Sequence, residues 1–168
     1  MAETRPATTD DLQTITTYRR KLQRHLQNSN PRIWRRNTDT TTREETLDEI
    51  TGDKKWTIIA EEKHKPVRYI SSRAITRIDE EPPTIGVINT MWVEPGHRNK
   101  GTGTRLVRDL LKRFSDAEVQ DITLRYVIGN TEAETFWTGL GFEPRITVAN
   151  AEPSQVQDAL SKKPFNHE

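Results

Sequence analysis

The 168-residue chain sets 26 Lys+Arg against 25 Asp+Glu, a formal net charge of +1, which excludes a polyanion-binding tail protein, and its length suits one domain rather than two. Apolar residues make up 32%, short of the roughly 45–50% typical of globular domains even with the 8 glycines added, so the core is used sparingly. Zero cysteines exclude disulfides and thiolate chemistry, and with neither a membrane-span-length apolar run nor an apolar core in the start Met1–Pro6, the expectation is a soluble, cytoplasmic protein.

Thr9 and Asp10 supply an N-cap signal, and Leu12, Ile15, Tyr18, Leu22 and Leu26 follow at helical spacing. The predicted first helix runs to about Gln27 and is broken at Asn28-Ser29-Asn30-Pro31. No acidic residue occurs from Leu12 to Thr38, a stretch holding Arg19, Arg20, Lys21, Arg24, Arg32, Arg35 and Arg36. Glu44, Glu45, Asp48 and Glu49 then crowd a short helix predicted over Arg43–Ile50 and closed by Gly52. Trp56–Ala60 and Val67–Thr76 read as a hairpin around a turn at Lys63–Pro66. After the loop Asp79–Pro83, the run Thr84–Val93 is rich in Ile, Val and Trp and predicts a central strand. Leu106, Val107, Leu110, Leu111 and Phe114 mark a helix beginning directly after Gly101-Thr102-Gly103. Ile122–Val127 alternates as a strand, Thr131–Leu140 reads as a short helix, Arg145–Ala149 as a last strand and Ser154–Leu160 as a further helix.

A strand that runs into glycines and then a helix can hold phosphate, because glycine lets main-chain N–H groups converge at the positive end of the helix dipole. A P-loop needs Lys after its second glycine, and Thr102 stands there. A dinucleotide fingerprint needs a third glycine, and Leu106 occupies that place. A tight turn with no ligand is the remaining alternative for an isolated pair of glycines.

The pair is not isolated. Val93-Glu94-Pro95-Gly96-His97-Arg98-Asn99-Lys100-Gly101-Thr102-Gly103 resembles the V-x-P-x-x-[RQ]-x-x-G-x-[GA] loop of the GNAT superfamily of N-acetyltransferases. Downstream, Ile122, Leu124 and Tyr126, then Asn130, Ala133, Phe136 and Trp137, and Leu140-Gly141-Phe142 resemble that family's second block. The resemblance implies an α/β (α+β) fold with a mixed sheet of about six to seven strands, a V-shaped splay between two central strands and about four to five flanking helices. It implies one N-acetyltransferase-like domain over residues 1–168, with an acceptor-side arm at about 8–52 and an acyl-CoA-binding core at about 84–142. Acetyl-CoA is the implied co-substrate, and no metal is implied. Asn99, Lys100, Gly101, Thr102, Gly103 and Thr104 would wrap the CoA diphosphate, with charge from Arg98 and Lys100. Met91, Trp92 and Val93 would offer strand-edge groups to the pantetheine, although Trp92 also suits a plain core. Asn130 would bond near the pantetheine arm, and as a helix N-cap it can do both.

The chain departs from the family at the general acid. Trp137 occupies the position where a Tyr commonly protonates the leaving thiolate, and an indole N–H is no proton-transfer acid near neutrality. A thiol of pKa about 8.5 already leaves fairly well without one. Tyr126 and Glu81 are the other catalytic candidates, set against readings as core and solvated loop. The acceptor side would fall to His25, Arg32, Trp34 and Arg35, where arginines flanked by an aromatic can clamp an anionic group; a solvated face or a homodimer contact is the alternative. The implied activity is acetyl transfer to an amine of a small molecule or a peptide N-terminus, with a non-catalytic acyl-CoA-binding regulatory module as the alternative. A nucleic-acid-binding role fits poorly with a net charge of +1, and no membrane partner is expected.

Overall fold

In the computed structural model, which describes residues 3–33, 39–98 and 101–163, one sheet carries five strands in sequence order. Glu3–Pro6 (β1), Lys55–Glu62 (β2), Lys65–Thr76 (β3) and Thr84–Val93 (β4) pair antiparallel in turn, and Asp121–Leu124 (β5) runs parallel to β4. The helices are Leu12–Ser29 (α1), Asp39–Thr51 (α2), Thr102–Asp116 (α3), Thr131–Gly139 (α4) and Pro153–Ser161 (α5). The chain divides into two compact units, residues 1–131 and 132–168.

In the first unit, the period-2 alternation of the strands sorts side chains to two helical layers. Ile59, Tyr69 and Trp92 lie in one row across β2, β3 and β4 and form a core with Ile15 and Tyr18 of α1. On the other face Trp56 meets Phe114 of α3 edge-on at 5.8 Å. Of the predicted apolar stripe, Leu106, Val107, Leu110 and Phe114 are buried there, whereas Leu111 is 45% exposed. Gly86 of β4 belongs under this helix, since a Cβ would come within 2.5 Å of the Phe114 ring. Arg19 of α1 ties α2 into place through Glu49 at 2.7 Å and Glu45 at 3.0 Å.

The sheet has five strands rather than the expected six to seven. β1 went unpredicted because Glu-Thr-Arg-Pro carries no apolar alternation. It is held by pairing with β2 and by Arg5, which bonds both Asp11 oxygens at 2.7 and 2.8 Å and Glu61 at 2.9 Å. The strand expected at Ile122–Val127 ends at Leu124. Arg145–Ala149 joins no ladder, with Ile146 88% and Val148 70% exposed; alternation is local, but a strand exists only where another edge accepts its hydrogen bonds. In the second unit, the Trp137 ring meets Phe136 and Phe142 edge-on at 4.8 and 5.3 Å.

Candidate functional site

The site starts from one irregularity in β4. Ser72 stands opposite Ile88 and Ser71 opposite Thr90, so Asn89 is an extra residue in the ladder. Ile88 and Trp92 are four residues apart and in a regular strand would share a face. The bulge reverses that parity, leaving Ile88 in the Trp56–Ser72 row toward α3 and turning Trp92 toward α1.

The parallel ladder with β5 covers only Ile85–Ile88. From Asn89 onward, among the described residues, β4 therefore has no strand beside it on that edge, which is the splay the resemblance implies. Glu94 donates its N–H to Val67 of β3 at 3.0 Å. By alternation Trp92 also directs its main-chain groups to β3, while Met91 and Val93 direct theirs to the open edge. Of the three expected strand-edge residues, two thus face the gap and Trp92 is core.

The open edge leads into the glycine loop. Gly101 adopts φ +67° as the N-cap of α3, and a Cβ there would meet nothing within 4 Å, so conformation and not crowding requires glycine. A glycine cap offers no side chain to the first-turn N–H groups, and Thr102, Gly103 and Thr104 open the helix. These features fit an anion-terminated ligand lying along β4 and ending at the helix N-terminus. Asn99 and Lys100 lie outside the described residues.

Arg98 lies against the end of β4. Its Nε donates to the Val93 carbonyl at 3.1 Å and its guanidinium lies 5.2 Å from the Trp92 ring centroid, because an unladdered carbonyl and an aromatic face together attract a guanidinium. Glu94, at the strand end, pairs with Lys21 of α1. Asn130 is buried just before α4 and donates its N–H to the Val127 carbonyl at 3.0 Å.

Sequence reasoning missed two groups of residues. The first is a polar patch on the α1 face at the mouth of the splay. Tyr69 OH, beside Thr90, together with Ser71 Oγ and Trp92 Nε1, is buried without a hydrogen-bond partner. Burial sends the Tyr69 phenol far above its ordinary value, with Glu49 adding to the rise and Arg19 opposing it. The second is Arg68 of β3, fully buried. Its Nη2 donates to Glu62 at 2.6 Å, and the other Glu62 oxygen lies 3.1 Å from His97 Nδ1 in the β4–α3 connection. Lost hydration pushes the Glu62 carboxyl up, but Arg68 and His97 outweigh it and hold the group below its usual range. The strand alternation that places Arg68 on the α3 face was legible; its burial was not.

The remaining candidates are dispersed. Tyr126 is half-buried beyond the end of β5, and Glu81 is exposed in the loop before β4. His25 meets the Trp92 ring edge-on at 6.2 Å. Arg32 is exposed, its N–H donating to Asn30 Oδ1 at 3.1 Å, while Trp34 and Arg35 lie outside the described residues. Among the described residues no group of three His, Cys, Asp or Glu could hold a metal ion, and no helix is long and apolar enough to cross a membrane.

Comparisons with known proteins agree with this geometry. The acetyltransferase (GNAT) family model matches residues 19–142, and no curated protein matches. Among solved structures, a tetramutant of the BH1408 protein from Bacillus halodurans is similar at TM-score 0.79 and 16% identity, covering 89% of this chain and 99% of that one. A predicted acetyltransferase from Clostridium acetobutylicum, solved with acetyl-CoA, is similar at TM-score 0.72 and 17% identity, with 92% of this chain and 98% of that one covered. The aminoglycoside N-acetyltransferase AAC(6')-Iy, solved with CoA, is similar at TM-score 0.71 and 14% identity, with 90% and 94% covered. With a bulged β4 opening onto a glycine-capped helix and a family match spanning residues 19–142, the chain belongs to the GNAT acetyltransferase family.

Proposed function

We propose that the protein transfers an acetyl group from acetyl-CoA to an amine by direct attack in a ternary complex. The observation that carries this reading is the β4 edge, open from Asn89 and ending at the N-terminus of α3. Met91 and Val93 would receive the pantetheine amides as a missing strand would be received, with Arg98 leaving the Val93 carbonyl. Gly101, Gly103 and Thr104 would give main-chain N–H groups to the diphosphate, with Asn99, Lys100 and Thr102 completing the loop, and Asn130 would serve the pantetheine arm.

The acceptor amine would approach through the splay from the α1 face. No side chain of this chain is assigned as general acid. Trp137 lacks an exchangeable proton of suitable acidity, and the Tyr69 phenol lies too high to give one near neutrality. The thiolate leaves unassisted, its conjugate thiol having a pKa near about 8.5, and water carries the proton from the amine. Trp137→Tyr is therefore expected to leave the turnover rate unchanged, and a large increase would overturn the unassisted departure.

Two of the basic residues of the arm are already neutralised, Arg19 by Glu45 and Glu49 and Lys21 by Glu94. Exposed Arg24 would receive an anionic group together with the arm's Arg32 and Arg35, and the buried donors Ser71 Oγ and Trp92 Nε1 favour an acceptor with an oxygen near its amine. The acceptor class is an amine carrying a carboxylate or phosphate, such as an amino acid or an acidic peptide end, rather than a polycation of the kind AAC(6')-Iy is named for.

Acetyl-CoA at about 100 times its Kd adds about 2.7 kcal/mol by mass action, a rise in Tm of about 5–10 °C for a chain of this length. An absent shift, unchanged in Gly101→Glu, would overturn the assignment. Thiol release measured across amino acids, acidic peptides and aminoglycosides then reads the acceptor. A shift with no thiol released from any amine would favour a non-catalytic acyl-CoA-binding module.

A further inference from the structure

Arg68 is an anomaly of charge. It is fully buried, yet its guanidinium has one partner, Glu62, and both Nε and Nη1 are buried without any. Leaving such donors unmade is costly, more so on a charged group, so a retained pair of empty donors points to something that fills them. Their surroundings narrow what that is. Arg68 stands between Ala60 of β2 and Val93 of β4, in the Ile58–Ile70–Met91 face that α3 covers. Val93 is the last residue of β4 before the connection to α3, and Glu62 carries the side chain across to His97 within that connection. Through Glu62 and His97 the guanidinium is tied to the connection that leads to the glycine cap of α3, where a helix N-terminus already favours an anion.

We propose that Arg68 is a phosphate-binding residue of this site, its Nε and Nη1 donating to the diphosphate of CoA from beneath the loop while the α3 amides hold it from above. This rests on the acyl-CoA reading and adds a residue to it. Glu62 keeps the guanidinium in register and supplies a counter-charge until the ligand arrives. A planar fork suits two oxygens of a diphosphate better than a single point charge would.

The test is calorimetric binding of CoA, 3′-dephospho-CoA and S-acetylpantetheine to wild type, Arg68→Met and Glu62→Gln, with circular dichroism to monitor folding. Arg68→Met is expected to weaken CoA and 3′-dephospho-CoA alike by about 10- to 100-fold and to leave S-acetylpantetheine, which has no diphosphate, unchanged. Glu62→Gln removes the competing carboxylate charge and is expected to tighten CoA about two- to fivefold. Loss of all three ligands together, loss of CoA but not of 3′-dephospho-CoA, or affinities unchanged in a folded Arg68→Met each overturn the assignment. Should Arg68→Met fail to fold, Glu62→Gln decides, and unchanged or weakened CoA binding overturns it. Wild type that binds no CoA removes the acyl-CoA reading itself, whereas wild type that binds CoA beside an indifferent Arg68→Met removes only this inference.

Discussion

Two glycines show how differently the same residue can be required. Gly101 holds a left-handed conformation in open space, while Gly86 lies flat beneath the Phe114 ring. Gly101→Ala is expected to cost about 1 kcal/mol in urea unfolding, with Gly101→Asn costing less because Asn tolerates positive φ. Gly86→Ala overpacks the α3 face and is expected to cost about 1–3 kcal/mol, with no relief from a polar side chain. A Gly86→Asn milder than Gly86→Ala, or a Gly101→Asn worse than Gly101→Ala, would contradict these assignments. The sequence marked Gly101 through its neighbours in the loop motif. It gave no sign for Gly86, whose constraint comes from a side chain 28 residues away in the chain. Arg68 was hidden for the same reason: an arginine in an alternating strand reads as solvent-facing, and only tertiary packing buries it.

At the scale of elements, the helices α1 and α3 were legible because their apolar stripes are long and regular, and the order of β2, β3 and β4 followed from strand runs separated by short turns. What escaped was register. The bulge at Asn89 inverts the faces of β4, making Trp92 a partner of Ile15 and Tyr18 and ending the match with β5. Deleting Asn89 restores an unbroken ladder and leaves Ile88 toward α3 and Trp92 toward α1, so that variant is expected to keep a cooperative transition. Deleting Asp79, which is exposed in the loop before β4, is expected to leave the transition within about 1 kcal/mol of wild type. An Asn89 deletion that no longer unfolds cooperatively would show that the bulge itself, and not only the parity it sets, holds the sheet. The short β1 and the unpaired Arg145–Ala149 are the two faces of one lesson, since pairing partners, not residue preferences, decided both.

Across the whole molecule, the shifted groups define a plateau of stability. The Arg5 hydrogen bonds hold the Asp11 carboxyl below its ordinary 3.8, and the Thr4 hydroxyl bond followed by Lys112 does the same for Asp109. A depressed folded pKa contributes stability above the unfolded value that is lost as pH falls through the folded one. Melting temperature is therefore expected to fall steeply below about pH 4, and Asp11→Asn to flatten that limb while lowering stability at neutrality. At the other end, burial and then Glu94 push the Tyr18 phenol from 10.0 up to about 12. A raised tyrosine stabilises below its unfolded value, so stability is expected to decline between pH 10 and about 12, and Tyr18→Phe to reduce that decline while the raised Tyr69 phenol maintains the rest. An acid limb unaffected by Asp11→Asn would remove the Arg5–Asp11 pair from the account. The sequence by itself determined the helical stripes, the glycine-capped entry to α3 and the family, because these depend on spacings of a few residues that chain geometry translates directly. Only the tertiary structure decided which face of β4 meets α1, where the sheet opens, that Arg98 folds onto the strand end and that Arg68 is buried with donors to spare, because each depends on atoms brought together from distant parts of the chain by packing.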